Sequence, residues 1–294
     1  MLVAYGSHGV VQRADGARFD CKFRRSVGRP YCGDRVRLGR ADSDSLVVEA
    51  ILERRNRFLR GDAAGRAHTV AVNLDRVLVV IASRPLPSRD LLDRYLVAVH
   101  SLGIEAVIVH NKVELDFDTG QEGAATLGRL NDYASLGYPV VRTSCKAEPG
   151  VGQLERMAAT GANILVGQSG VGKSSLVRRL LPDLDIQVGE LSRVTGKGTH
   201  TTTTTTLYTL PAGGHLIDSP GVWEYGLWRL EDREIAAGYP EFRPFLGACR
   251  FNDCRHLSEP GCAVKQAVDQ AQIMPWRYRS YTRLMARNEA IPGA

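Results

Sequence analysis

Residues 167–174 read Gly-Gln-Ser-Gly-Val-Gly-Lys-Ser, between the apolar run Asn163-Ile-Leu-Val and a stretch with Leu176, Val177, Leu180 and Leu181 at helical spacing. A glycine-rich loop that follows a strand and opens a helix restricts the fold more than any other feature of this chain. The glycines let successive N–H groups and the positive end of the helix face one point, which suits a phosphate chain. Lys173 would then reach the β and γ phosphates, and Ser174 would offer a hydroxyl to magnesium. The surrounding pattern supplies the sheet such a loop needs. RVLVVIA (76–82), IEAVIVH (104–110), YPVVRT (138–143), NILVG (163–167) and HLID (215–218) are mainly apolar, as expected of strands covered on both faces of a parallel sheet. Helices are expected between them: one opened by Ser88 with Leu91, Leu92, Tyr95, Leu96 and Val99 on one face, one over 125–136 and one over 151–159.

The flanks have a different character. Residues 1–60 alternate short runs (GVVQ, RFDCKF, DRVRL, SLVVEAIL) with turn material, spaced as in a small antiparallel β-barrel, and the stretch from Gly61 to His68 reads as a polar connection. These 60 residues carry 13 Lys and Arg against 7 Asp and Glu, which accounts for the whole net charge of +6. A basic first unit on a balanced remainder points to a local polyanion contact. Lys22, Phe23, Arg24, Arg25, Tyr31, Arg35 and Arg37, with a second cluster at Arg54, Arg55, Arg57 and Arg60, offer the charge and the aromatic faces used on single-stranded nucleic acid. Beyond Gly221 the strand runs stop, and short helices are expected around a Cys/His loop. The chain is therefore expected to be multidomain: residues 1–65 a barrel, 66–222 an α/β domain and 223–294 a mostly α unit.

Cys249, Cys254, His256 and Cys262 are separated by four, one and five residues. Three thiolates and an imidazole complete a tetrahedral zinc shell with no position left for water, so one structural zinc per chain is expected. Cys21 and Cys32 read as packing residues of the barrel. No apolar run approaches a bilayer span and the start carries no basic leader, so a cytoplasmic protein without membrane contact is expected.

Two further segments bear on the nucleotide. Asn111-Lys112-Val113-Glu114, after IEAVIVH, resembles the guanine-reading NKxD motif of GTPases, and Ser144-Cys145-Lys146, after YPVVRT, resembles their SAK loop. Glu114 departs from the motif's Asp by one methylene, which the rotamer or the loop must absorb. Adenine would turn a ring acceptor toward that carboxylate. Asp218-Ser-Pro-Gly221 supplies a carboxylate for magnesium and a glycine N–H for the γ phosphate. In most GTPases the phosphate loop comes first; here NKVE and SCK precede it, the order of a circularly permuted domain.

With this order, GQSGVGKSSL, LIDSPG and CRFNDCRHLSEPGCAVK together resemble the ribosome small-subunit-dependent GTPase A (RsgA) family over nearly the whole chain. The resemblance implies an oligonucleotide-binding (OB-fold) barrel, a permuted P-loop GTPase domain and a zinc-bearing helical domain. It implies GTP and GDP as ligands, held by Asn111, Lys112, Glu114, Ser144, Cys145 and Lys146 at the base and by Gly167, Gln168, Ser169, Gly170, Val171, Gly172, Lys173, Ser174 and Ser175 at the phosphates. Magnesium would sit on Ser174 and Asp218. The six threonines Thr201 to Thr206 become the first switch, with the metal-sensing hydroxyl among Thr201, Thr202 and Thr203. The implied work is late maturation of the small ribosomal subunit by a monomer that contacts its rRNA and is released on hydrolysis. Val222 stands where small GTPases orient water with glutamine, so unstimulated hydrolysis is expected to be slow, with His200 as the candidate assisting group. Two other readings stay open: a P-loop ATPase with a different client, and a nucleotide-gated RNA-binding adaptor.

Overall fold

The computed structural model describes residues 1–42, 45–62, 65–87, 90–118, 120–184, 205–219, 228 and 230–291. Strands β1 (Val3–Tyr5), β2 (His8–Gln12), β3 (Arg18–Phe23), β4 (Val36–Asp42) and β5 (Ser45–Ile51) lie in the order β1-β2-β3-β5-β4. β2 to β5 coincide with the four expected runs, while β1 was not among them. The spacing suggested purely antiparallel pairing, yet β3 and β5 are parallel, because β5 turns back from β4 and inserts beside β3. The polar connection joins two paired strands, β6 (Arg57–Gly61) and β7 (Ala67–Val72), so the expected border at 65/66 falls in the loop of a hairpin. Phe58, Ala71 and Val72 are fully buried there, and Cys32 bridges Ala71.

A parallel sheet follows. It is built from β8 (Arg76–Ala82), α1 (Leu91–Ser101), β9 (Glu105–Asn111), α2 (Gly120–Ser135), β10 (Val140–Thr143), α3 (Gly152–Ala158), β11 (Ala162–Val166), α4 (Lys173–Leu180), β12 (Thr206–Thr209) and β13 (His215–Asp218). The strand order is β10-β9-β8-β11-β13-β12, parallel up to β13. Parallel pairing brings the carboxyl ends at Ala82, Asn111, Thr143, Val166 and Asp218 to one edge, where ligands of open α/β sheets bind. Ser88, expected to open α1, lies outside the described residues, and Asp90 occupies the capping position. β12 runs antiparallel to both β13 and β1, through Thr206–Asp218 and Val3–Thr206, with Leu207 N donating to Leu2 O at 2.9 Å. One 11-stranded mixed sheet thus passes from the nucleotide side into the first unit.

The C-terminal part has α5 (Asp232–Ala237), a 3-10 turn (Pro240–Phe245), α6 (Ala263–Asp269) and α7 (Pro275–Glu289). The reciprocal Glu231/Glu234 capping box starts α5. Just beyond α5, Gly238 lies against α1, where an added Cβ would come within 2.9 Å of Val97. Arg277 of α7 is 1% exposed and pairs with Asp93 of α1 and with Glu241, whose Oε1 lies 2.6 Å from Arg277 Nε. Its guanidinium lies over Tyr239 at 4.5 Å and Tyr133 at 5.2 Å. One core cluster includes Leu96 and Val97 together with Ile235, Tyr239, Phe242 and Tyr281, so this part shares its interior with the sheet domain. Among the described residues, no helix is long and apolar enough to cross a membrane.

Candidate functional site

The loop from Gly167 to Gly172 leaves β11 at the carboxyl edge and enters α4. At Gly167 (φ 146°) a Cβ would lie 2.2 Å from Val80 O, so only glycine permits this close passage over β8. Gly172 (φ 96°) is closed off differently: a Cβ would meet Asn111 Nδ2 at 2.4 Å. Lys173 is 4% exposed, and its ammonium donates to Gly167 O at 2.7 Å and Gln168 O at 2.6 Å, curled over its own loop. Ser169, Gly170, Ser174 and Ser175 are exposed, Val171 is buried, and Gln168 donates to Pro85 O at 3.0 Å and Leu86 O at 3.1 Å. The loop after β8 is thus a wall of the site, and sequence reading missed it; SRPLPS at the end of a strand was the available signal.

The segments expected to read the base meet the glycine-rich loop directly. Asn111 is 1% exposed; it donates from Nδ2 to Val171 O at 2.9 Å and accepts Thr143 Oγ1 at 3.0 Å. Lys112, in the left-handed region at φ 61°, donates from Nζ to Gly170 O at 2.5 Å and Arg84 O at 2.9 Å. Ser144 Oγ accepts the N–H groups of Lys146 at 3.0 Å and Ala147 at 2.9 Å, which fixes the turn carrying Cys145. Burial pushes the Cys145 thiol up; the Arg179 charge opposes this and the Glu114 carboxylate reinforces it. Cys145 therefore shares one electrostatic neighbourhood with Glu114, and Glu114 Oε2 is buried without a hydrogen-bond partner among the described residues. A carboxylate in that state suits a ligand N–H group.

Asp218 ends β13 one residue after Ile217, the partner of Ile164 in β11. It is half-buried, and desolvation raises its carboxyl while the Ser219 N–H lowers it. Asp218 and Ser174 offer only hard oxygen donors, the set magnesium prefers. His200, Thr201, Thr202, Thr203, Gly221 and Val222 lie outside the described residues. After that segment, Thr205 and Ser219 hydroxyls are 2.8 Å apart.

Cys249, Cys254, His256 and Cys262 converge, with all ligand atoms within 4.8 Å of one another. His256 Nδ1 lies 3.4 Å from Cys249 Sγ, 3.6 Å from Cys254 Sγ and 3.4 Å from Cys262 Sγ. Tetrahedral zinc would hold sulfur and nitrogen about 3.5 Å apart, so the residues fit the metal. Burial pushes the Cys254 thiol up to about 12, with the His256 backbone N–H opposing and the Cys249 and Cys262 thiols adding, a proton that zinc would displace. Around the cluster, Tyr278 and Tyr281 hydroxyls donate to His256 O at 2.8 Å and Arg255 O at 2.7 Å, and Glu259 accepts the Arg255 and Leu257 N–H groups, each at 2.9 Å.

In the first unit, Arg54 is held bidentately by Asp34 at 2.7 and 2.8 Å, and Arg55 pairs with Asp75 at 2.8 Å. These two arginines brace the fold. Tyr31 lies under the guanidiniums of both Arg29 and Arg54, at 5.4 and 5.1 Å. Cys21 and Cys32 are buried, their thiols raised by desolvation to about 11 and about 12.

A model of the RsgA GTPase family matches residues 51–228. The chain belongs to the RsgA GTPase family. It is similar to the small ribosomal subunit biogenesis GTPase RsgA of Chromohalobacter salexigens, 45% identical over 274 residues that cover 93% of this chain and 80% of that one. The RsgA of Pseudomonas aeruginosa is 43% identical, with 97% and 84% covered. Among solved structures, YjeQ from Thermotoga maritima superposes with a TM-score of 0.79 at 29% identity, covering 100% of this chain and 98% of that one. YloQ, a circularly permuted GTPase, gives 0.75 at 26% identity, with 100% and 95% covered. In this RsgA-family chain the NKVE segment and the glycine-rich loop, separated in sequence, lie in hydrogen-bond contact.

Proposed function

We propose that this protein hydrolyses GTP in the late maturation of the small ribosomal subunit, that the subunit stimulates hydrolysis, and that hydrolysis drives its release. The observation that carries the reading is the Asn111 Nδ2 bond to Val171 O, which couples the base-reading strand to the phosphate loop. The names of the relatives support the client.

In this reading the loop N–H groups from Gly167 to Lys173 receive the phosphates, and Lys173 exchanges the Gly167 and Gln168 carbonyls for β and γ oxygens. Ser174 and Asp218 hold magnesium, which neutralises charge on the phosphates. Asn111 and Glu114 read the guanine edge, while the Ser144–Lys146 turn closes over it. The first switch senses the γ phosphate through Thr201, Thr202 or Thr203, and the second through Gly221. His200 assists the attacking water once the subunit has docked.

We divide the chain into an OB-fold barrel (1–65, with the β6–β7 hairpin straddling its end), the permuted GTPase domain (66–222) and a zinc-binding helical domain (223–294). The insertion of β5 between β3 and β4 supports a partly open Greek-key barrel. The barrel contacts rRNA through its basic face, the zinc is structural, and the protein works as a cytoplasmic monomer. The test is GTP turnover with purified small subunits, large subunits or neither. Stimulation by small subunits alone is expected; equal rates in all three would overturn the reading, and faster ATP than GTP turnover would favour a P-loop ATPase.

A further inference from the structure

Glu114 is one methylene longer than the motif's aspartate, so its carboxylate has an additional torsion to restrain. The structure contains a clamp suited to that task. β9 and β10 pair in parallel with His110 opposite Arg142 and Asn111 opposite Thr143. Consecutive strand residues face opposite sides of a sheet. The Asn111–Thr143 rung, joined by its own hydrogen bond, faces the phosphate loop, and the His110–Arg142 rung faces away.

The chain leaves Asn111 through the left-handed Lys112 and enters a 3-10 turn, Val113–Asp118, in which Leu115 N donates to Lys112 O at 2.9 Å. Two residues beyond Glu114, Asp116 drops onto the outer rung. Asp116 Oδ1 lies 3.0 Å from His110 Nε2, an ion-pair distance without hydrogen-bond geometry, and Asp116 Oδ2 accepts Arg142 Nη2 at 3.1 Å, the bond that anchors it. His110 is 1% exposed and its ring is kept toward the neutral form, chiefly by burial, with Asp116 opposing and the Arg142 charge adding. Asp116 is thus committed to the outer face through Arg142, whereas Glu114 Oε2 is buried without a hydrogen-bond partner among the described residues. The two rungs hold the turn from both sides of the sheet, with Glu114 between its anchored ends.

We propose that Asp116, held by Arg142 and packed against His110, is a positioning residue for guanine recognition: it fixes the turn so that the longer Glu114 presents its carboxylate to the base. The proposal rests on Glu114 being the base reader, and the test separates the two claims. Equilibrium binding of a fluorescent GDP analogue to the full-length protein, competed by GDP and by ADP, is measured for Glu114→Ala, Asp116→Asn, Arg142→Ala and Arg142→Lys. It is repeated for the double variant Glu114→Ala/Asp116→Asn.

Asp116→Asn and Arg142→Ala should weaken GDP about tenfold and leave ADP unchanged, because only the base contact is lost. Arg142→Lys, which keeps the charge, should restore most of the selectivity. In the Glu114→Ala background, Asp116→Asn should cause no further loss, since its effect passes through that carboxylate. If Asp116→Asn weakens GDP and ADP equally, or still costs affinity without Glu114, the clamp is merely structural and the proposal fails. If Glu114→Ala itself leaves selectivity intact, the base-reading assignment fails first.

Discussion

Arg277→Met keeps much of the side chain's length and removes its charge, which isolates the contribution of an almost fully buried cation. After the change Asp93 retains the Tyr133 hydroxyl at 2.6 Å, while Glu241 loses both of its contacts to Arg277, at 2.6 and 3.3 Å. The two carboxylates are 0% and 7% exposed, so water cannot replace the guanidinium without opening the α1–α7 interface. Breaking a buried pair from one side costs about 3–5 kcal/mol, because a charge stays behind unpaired. Loss of the stacking over Tyr239 and Tyr133 adds about 1 kcal/mol. For a chain of this size 1 kcal/mol corresponds to roughly 2–4 °C, so the thermal midpoint should fall by at least about 8 °C. Urea and thermal unfolding are followed by tryptophan fluorescence, to which Trp276 contributes from 5.6 Å away. Asp93→Asn in the same background should be less destabilised than Arg277→Met alone, since one stranded charge has been removed. A loss below about 1 kcal/mol would rank the contact with exposed ion pairs and refute the idea that it fastens α7 to α1.

Gly172→Ala should leave the fold intact and weaken nucleotide binding at least about tenfold, since its methyl group displaces Asn111 and strains a left-handed backbone; unchanged affinity for GDP by calorimetry would contradict that geometry. Cys254→Ser, or strong chelation, should release one zinc per chain by mass spectrometry and unfold the α5–α7 region, which helical circular dichroism would register; full metal content in the variant would contradict the four-ligand assignment. Stability should fall as the pH drops below about 6.5, because burial lowers the proton affinity of His100, His110 and His215 in the folded state, so the unfolded chain binds more protons and is favoured on acidification. Urea midpoints at pH 7.5 and pH 5.5 would check this, and equal values would contradict it.

The elements that short-range pattern encodes were legible in the sequence. The phosphate loop, the NKVE and SCK segments and the Cys/His spacing each draw their chemistry from a few adjacent residues, and apolar runs marked the five parallel strands but not the antiparallel β12. What pattern could not show depends on distant partners. Arg277 sits in a basic, aromatic stretch, and its burial is explained by partners far away in the chain, Asp93 at 184 residues and Glu241 at 36. The β6–β7 hairpin was missed because RFLRG and AHTVAV are short and rich in polar or small residues, and their burial comes from Cys32 and its neighbours. The β1–β12 pairing, which carries the sheet across the chain, left no local trace. Asp116 lay in plain view beside Glu114, yet its commitment to the outer face follows only from the register of β9 on β10.

The central claim is that motifs in inverted order rebuild one guanine nucleotide pocket, and a crystal structure of the GDP–magnesium complex tests it most directly. The account predicts the diphosphate wrapped by residues 167–175 and the base between the Asn111–Glu114 segment and the Ser144–Lys146 turn. A diphosphate in the loop with its base elsewhere, and Asn111 and Glu114 untouched, would contradict it.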